Sequence, residues 1–180
     1  FPTRRSSDLM NHLFPDTTYG CESGGDPKNI PDLTYENFLN FHRTYYHPSN
    51  SYIYLYGNMD MEEKLAFLDE HYLSHFDYLD VDSVIQEQKA FGACQDVTLE
   101  YPVAENEGEE DNTYLSYNMV VGNAADSQMA MAFEVLDYAL LSAPGAPLKQ
   151  ALLDVKAGKD VYGSYDDGIL QPYFTVIAKG

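Results

Sequence analysis

The sequence predicts an α+β fold in which antiparallel sheets are covered by helices. Three observations carry this prediction. Short runs of alternating apolar residues come singly or in neighbouring pairs, stretches with three-and-four apolar spacing separate them, and the turn signals between successive runs suit hairpins. The pattern looks cut at both ends, with the last strand stopping at Gly180.

The first nine residues, "FPTRRSSDL", have no apolar stretch of the kind a signal peptide needs and differ in style from the rest of the chain, so 1–9 read as adapter-like sequence outside the fold. Residues 14–33 are dense in Gly, Pro and Asp and form an irregular loop. Thr34 then caps a helix whose face is Tyr35, Phe38, Leu39, His42, Tyr45 and Tyr46, and Pro48 ends it. "SYIYLYG", 51–57, carries large side chains on both faces and is predicted as a buried strand inside a sheet. Asp60 and Glu63 start a second helix through Met61, Leu65, Leu68, Tyr72 and Phe76.

From 77 to 90 the chain is acidic and loses its periodicity, which marks a connection between two structural units, 10–76 and 91–180. In the second unit, strands are predicted at 97–101 and 115–121, flanking the hydrated loop "ENEGEEDN". Asp126 caps a helix through Met129, Phe133, Leu136 and Leu140, and Pro147 opens a shorter one that Gly158 ends. "DVYGSY" and "ILQPYFTVIA" are strands around the hairpin signal Asp166-Asp167-Gly168.

The totals bound the function. The chain has 180 residues, 44% of them hydrophobic, enough for a substantial core. Ten Lys and Arg against 29 Asp and Glu give a net charge of −19, a field that repels nucleic acid and anionic membranes and attracts cationic peptides. No run approaches the ~20 apolar residues of a membrane span. The two cysteines, Cys21 and Cys94, lack C-x-x-C spacing and read as buried free thiols, which points to a cytoplasmic or other soluble reducing compartment.

Histidine is the first place to look for chemistry, because two at i,i+4 on a helix can share a metal. His71 and His75 have that spacing, but neither zincin motif is present: H-x-x-E-H would need Glu where Ser74 stands. They are read as structural residues, as are His42 and His47 at the end of the first helix. "SGGDP" lacks the Lys of a phosphate loop, and no G-x-S-x-G elbow occurs.

The stretch "LFPDTTYGCESGGDPKNIPDLTYENFLNFHRTYYHPSNSYIYLYGNMD", 13–60, resembles the insulinase-type (pitrilysin) inverted zincin peptidases, and most of all their presequence protease branch. Tyr46, Pro48, Asn50 and Gly57 stand at the family's helix-turn-strand corner, a structural element. "APLKQALLD" and "GKDVYGSYDDGILQPYFTVIAKG" are similar to the start of the second domain in that branch. The resemblance implies a chain of related α+β domains enclosing a chamber, with zinc held by H-x-x-E-H and a further glutamate, all upstream of Leu13. On this view 10–76 ends a first peptidase-like domain, 77–90 connects, and 91–180 begins a second. The fragment then carries no catalytic residue and binds no zinc, although its parent uses Zn2+.

The leading expectation is a fragment of a zinc metalloendopeptidase that degrades short unstructured peptides, with those peptides and the remainder of its own chain as partners. The alternative is a non-catalytic insulinase-like scaffold or assembly subunit. A third reading is an acidic stand-alone interaction module.

Overall fold

The computed structural model describes residues 3–103 and 112–180. Among them the order is α1 (Thr3–Leu13), α2 (Tyr35–Tyr45), α3 (Met61–His71), β1 (Tyr114–Val120), α4 (Ser127–Asp137), α5 (Pro147–Asp154), β2 (Asp160–Asp166) and β3 (Tyr173–Lys179). The fold class is α+β, with an open antiparallel sheet. The elements group into two compact units: Phe1–Glu22 with Gln86–Gly180, and Ser23–Ile85. Residues 10–22, which the sequence groups with the helices of 34–76, thus pack with the later part of the chain.

Helix starts follow local chemistry. The Thr34 hydroxyl accepts the Asn37 N–H at 3.1 Å, the Asp60 carboxylate accepts that of Glu63 at 3.1 Å, and Asp126 accepts those of Gln128 and Met129. Pro147 occupies the first turn of α5, where its missing N–H costs nothing. That helix stops before Gly158. Lys156 takes the left-handed conformation, and the N–H groups of Lys156 and Ala157 bond back to the carbonyls of Leu153 and Leu152, closing the helix end earlier than predicted.

In the first unit the strand order is β1-β3-β2, with both pairings antiparallel. Paired residues share a face. One face therefore carries Leu115, Tyr117 and Met119 on β1, Ala178, Val176 and Phe174 on β3, and Val161, Gly163 and Tyr165 on β2. Over β2 and β3 this face is closed by Phe133, Leu141, Leu148 and Leu152, and Val161 is fully buried. Gly163 is required there. A Cβ at that position would lie 2.1 Å from the Thr175 carbonyl oxygen and 2.6 Å from Leu141. The segment after α1 buries Phe14, which lies edge-on to Tyr19 and Tyr173. Between α4 and α5, Tyr138–Ser142 widens to a π-helical turn.

The hairpin signal at Asp166 is used, but with a longer loop than the Asp-Gly pair suggests. Asp166 and Tyr173 are the last cross-strand partners, and the Asp166 carboxylate accepts both the Gly168 N–H and the Tyr173 hydroxyl at 3.0 Å.

The second unit has no buried residue. Its helix α2 forms as predicted and α3 starts as predicted but ends at His71, short of the expected Tyr72 and Phe76, whereas 51–56 is extended without a ladder partner, and Tyr52, Tyr54 and Tyr56 are exposed. The expected buried strand is not formed among the described residues, since a strand needs a neighbour's N–H and C=O groups and Ser23–Ile85 supplies none here. Residues 97–101, also expected as a strand, do not form one among the described residues. The loop "ENEGEEDN" lies, up to Asp111, outside the described residues. Cys21 and Cys94 are both exposed, correcting the expectation that they are buried, because each sits in irregular chain away from the packed helices and sheet.

Candidate functional site

The corner singled out in the sequence is built by side chains that hold the backbone. Tyr46 caps α2 and its ring stacks on His42 at 4.8 Å. His47, held extended by the following proline, accepts the Ser49 N–H on Nδ1 at 3.2 Å, and Pro48–Asn50 forms a 3-10 turn. The Asn50 amide donates to the Tyr45 carbonyl at 3.0 Å, and its oxygen accepts the Ser83 hydroxyl at 2.6 Å. Ser49 Oγ accepts the Leu79 N–H at 3.1 Å. Tyr46, Pro48 and Asn50 are thus brought together at one turn. Gly57 lies at the far end of the extended 51–56 segment, where its φ of +131° excludes ordinary side chains. The polar groups named here are spent on the turn and on its contacts with Leu79 and Ser83.

The histidines are separated by the same local logic. α3 ends at His71, and Tyr72 turns the chain into a 3-10 segment, Leu73–His75, so His71 and His75 do not share one α-helix. His71 packs on Phe67, and His47 lies edge-on to Phe76. Among the described residues no group of three His, Cys, Asp or Glu is placed to hold a metal ion. With Ser74 in place of the motif glutamate, the donor set does not fit the zinc that the family resemblance implies for the parent.

A polar junction in the first unit had no signal in the sequence. Gln88 is only 7% exposed. Its N–H donates to Gln171 Oε1 at 2.6 Å, and Gln171 Nε2 donates back to the Gln88 carbonyl at 3.2 Å. The Gln88 side chain holds Asp16 twice, accepting its N–H at 2.9 Å and donating to its carboxylate at 2.8 Å. Beside it, the Tyr19 hydroxyl accepts the Leu170 N–H at 3.2 Å. Gln88 lies in the aperiodic 77–90 stretch and Gln171 near the start of a run read as a strand, and neither offers a spacing from which this could be read.

Among the described residues of this unit three groups are electrostatically displaced. Burial, then the charge and hydrogen bond of Asp166, push the Tyr173 hydroxyl up to about 12. Burial raises Tyr165, with Asp167 and Glu134 adding to it, and burial raises the Asp137 carboxyl. Tyr165 OH and Asp137 Oδ1 are both buried without a hydrogen-bond partner. No helix among the described residues is long and apolar enough to cross a membrane.

The peptidase M16 inactive domain matches residues 32–179. Protein HypA of Clostridium perfringens is 48% identical over 167 residues, 93% of this chain and 17% of that protein. Presequence protease 1, chloroplastic/mitochondrial, of Arabidopsis thaliana is 38% identical over 172 residues, 93% of this chain and 16% of its own length. The mitochondrial presequence protease of Xenopus laevis is 33% identical over 180 residues, covering 97% and 17%. The chain thus spans about one sixth of the length of these curated relatives. With the inactive-domain match covering most of its residues, the chain belongs to the insulinase-type peptidase family M16, in its presequence protease branch.

Proposed function

We propose that this chain is a non-catalytic piece of a zinc metalloendopeptidase that degrades short unstructured peptides within an enclosed chamber. The observation that carries the reading is the match of residues 32–179 to a domain described as inactive, in a chain without any H-x-x-E-H motif. On this reading 10–76 belongs to the end of one peptidase-like domain and 91–180 to the start of the next, joined by 77–90. Tyr46, Pro48, Asn50 and Gly57 then act as a structural corner, supporting a strand that the rest of the first domain completes. The net charge of −19 favours cationic peptides and disfavours nucleic acid.

The test compares the full-length parent with this chain on an unstructured cationic peptide. The parent cleaves it, loses activity to a chelator and regains it with zinc, while the chain alone is inert. Cleavage by the purified chain refutes the non-catalytic assignment. A parent that neither binds zinc nor cleaves peptides shifts the function to a scaffold with the same fold.

A further inference from the structure

The two edges of the sheet differ. On β2 the edge carries Asp160 and Asp166, charges of the kind that keep an edge strand from pairing with other chains, and its apolar face is buried, with Val161 fully covered. On β1 every residue from Tyr114 to Val120 is uncharged, and the face that continues the core is bare, with Leu115 67%, Tyr117 60% and Met119 38% exposed. No strand among the described residues pairs with its outer edge.

The hydrogen bonding shows which groups face outward. Gly180 donates to the Thr113 carbonyl at 2.9 Å and Val121 donates to that of Pro172 at 2.7 Å, at the two ends of the β1–β3 register. Residues two apart repeat this orientation in an antiparallel ladder, so Leu115, Tyr117 and Met119 bond to β3. The N–H and C=O groups of Ser116, Asn118 and Val120 therefore point to the outer edge. Asn118 also has a buried side-chain oxygen with no partner.

We propose that β1 is an internal strand of a larger sheet, and that its outer edge takes a strand from the part of the parent chain beyond Gly180, covered on the apolar face by that segment's own side chains. This rests on the reading of the chain as a piece of a longer protein. Its relatives are about six times as long, which leaves ample chain to supply the strand. β3 delivers the chain at Gly180, hydrogen-bonded to Thr113 at the start of β1. Of the two edges then within reach, only β1 offers an uncharged ladder beside an uncovered apolar face.

Site-resolved hydrogen exchange on this chain and on the full-length parent tests the proposal. The amides of Ser116, Asn118 and Val120 exchange rapidly in the chain and slow by about a hundredfold or more in the parent. Rapid exchange at these amides in the parent overturns the proposal. So does slow exchange already present in the chain: if it accompanies slow amides at 97–101, that segment fills the edge, and if it grows with concentration, a second copy does. Peptidase activity of the parent is assayed in parallel. Protected amides in an inactive parent leave this inference standing and refute the enzymatic reading, and the reverse pattern does the opposite.

Discussion

Gln88 and Gln171, 83 residues apart, exchange two hydrogen bonds in which the side-chain amide of Gln171 pairs with the backbone of Gln88 as a strand would. The Gln88 side chain meanwhile grips Asp16, so three distant segments meet at one nearly buried glutamine. Replacing Gln88 by Ala strands the Asp16 N–H and carboxylate without these partners. The expected cost is about 2 kcal/mol, from unsatisfied groups at a partly buried site. A urea midpoint followed by tyrosine fluorescence checks it, and an unchanged midpoint would show that water replaces the glutamine without loss.

Gly163 is expected to be the least replaceable position in β2. Gly163→Ala forces a methyl group against the Thr175 carbonyl and the Leu141 side chain, and overpacking of this kind costs about 1–3 kcal/mol. Thermal unfolding measures the loss. Trimming Leu141 in the same chain should recover little of it, because the tighter contact is with backbone.

Tyr173 makes the alkaline limb of stability predictable in sign. An ordinary tyrosine loses its proton near 10, and in the fold this one is held to about 12 by burial and Asp166. The folded state thus holds the proton more tightly than the unfolded one. The associated stability is complete below about pH 10 and is lost as pH rises towards 12. Tyr173→Phe should be about 1–2 kcal/mol less stable at neutral pH, with the gap to the unsubstituted chain narrowing through that window. Unfolding curves from pH 8 to 12 for both chains decide it.

Asp126 caps α4 with two hydrogen bonds, to Gln128 and Met129. Asp126→Ala should cost about 1 kcal/mol and Asp126→Asn much less, since the amide oxygen can still accept. Chemical denaturation of the two variants side by side separates capping from charge: equal losses would mean that the negative charge at the helix start matters more than the acceptor.

Zinc should leave the chain's thermal midpoint where it is. A ligand that binds only the folded state raises that midpoint, and no three-donor group lies among the described residues. A midpoint that climbs with zinc concentration would reveal a site assembled from other residues.

Where structure depends on neighbours in the chain, the sequence was legible. The caps at Thr34, Asp60 and Asp126, the proline start of α5 and the hairpin signal at Asp166 all act within a few residues, and each appears at its expected position. The end of α5 shows the limit of that logic: Lys156 adopted the left-handed turn expected later at Gly158, because the bonds closing the helix were available sooner. The extended segment at Tyr52, Tyr54 and Tyr56 shows another, since alternation says that a residue run can be a strand but not which chain will lie beside it.

The sequence by itself determined the class of fold, the starts of helices α2 to α5, the negative field and the kinship to a peptidase branch, because composition, short-range spacing and local motifs carry these. Only the tertiary structure decided that residues before Glu22 pack with the later sheet, that Gln88 gathers Asp16 and Gln171, and that β1 presents an uncovered edge. Those are contacts between residues tens of positions apart. Their free energy depends on which groups meet in space, and nothing in the local periodicity of either partner records the meeting.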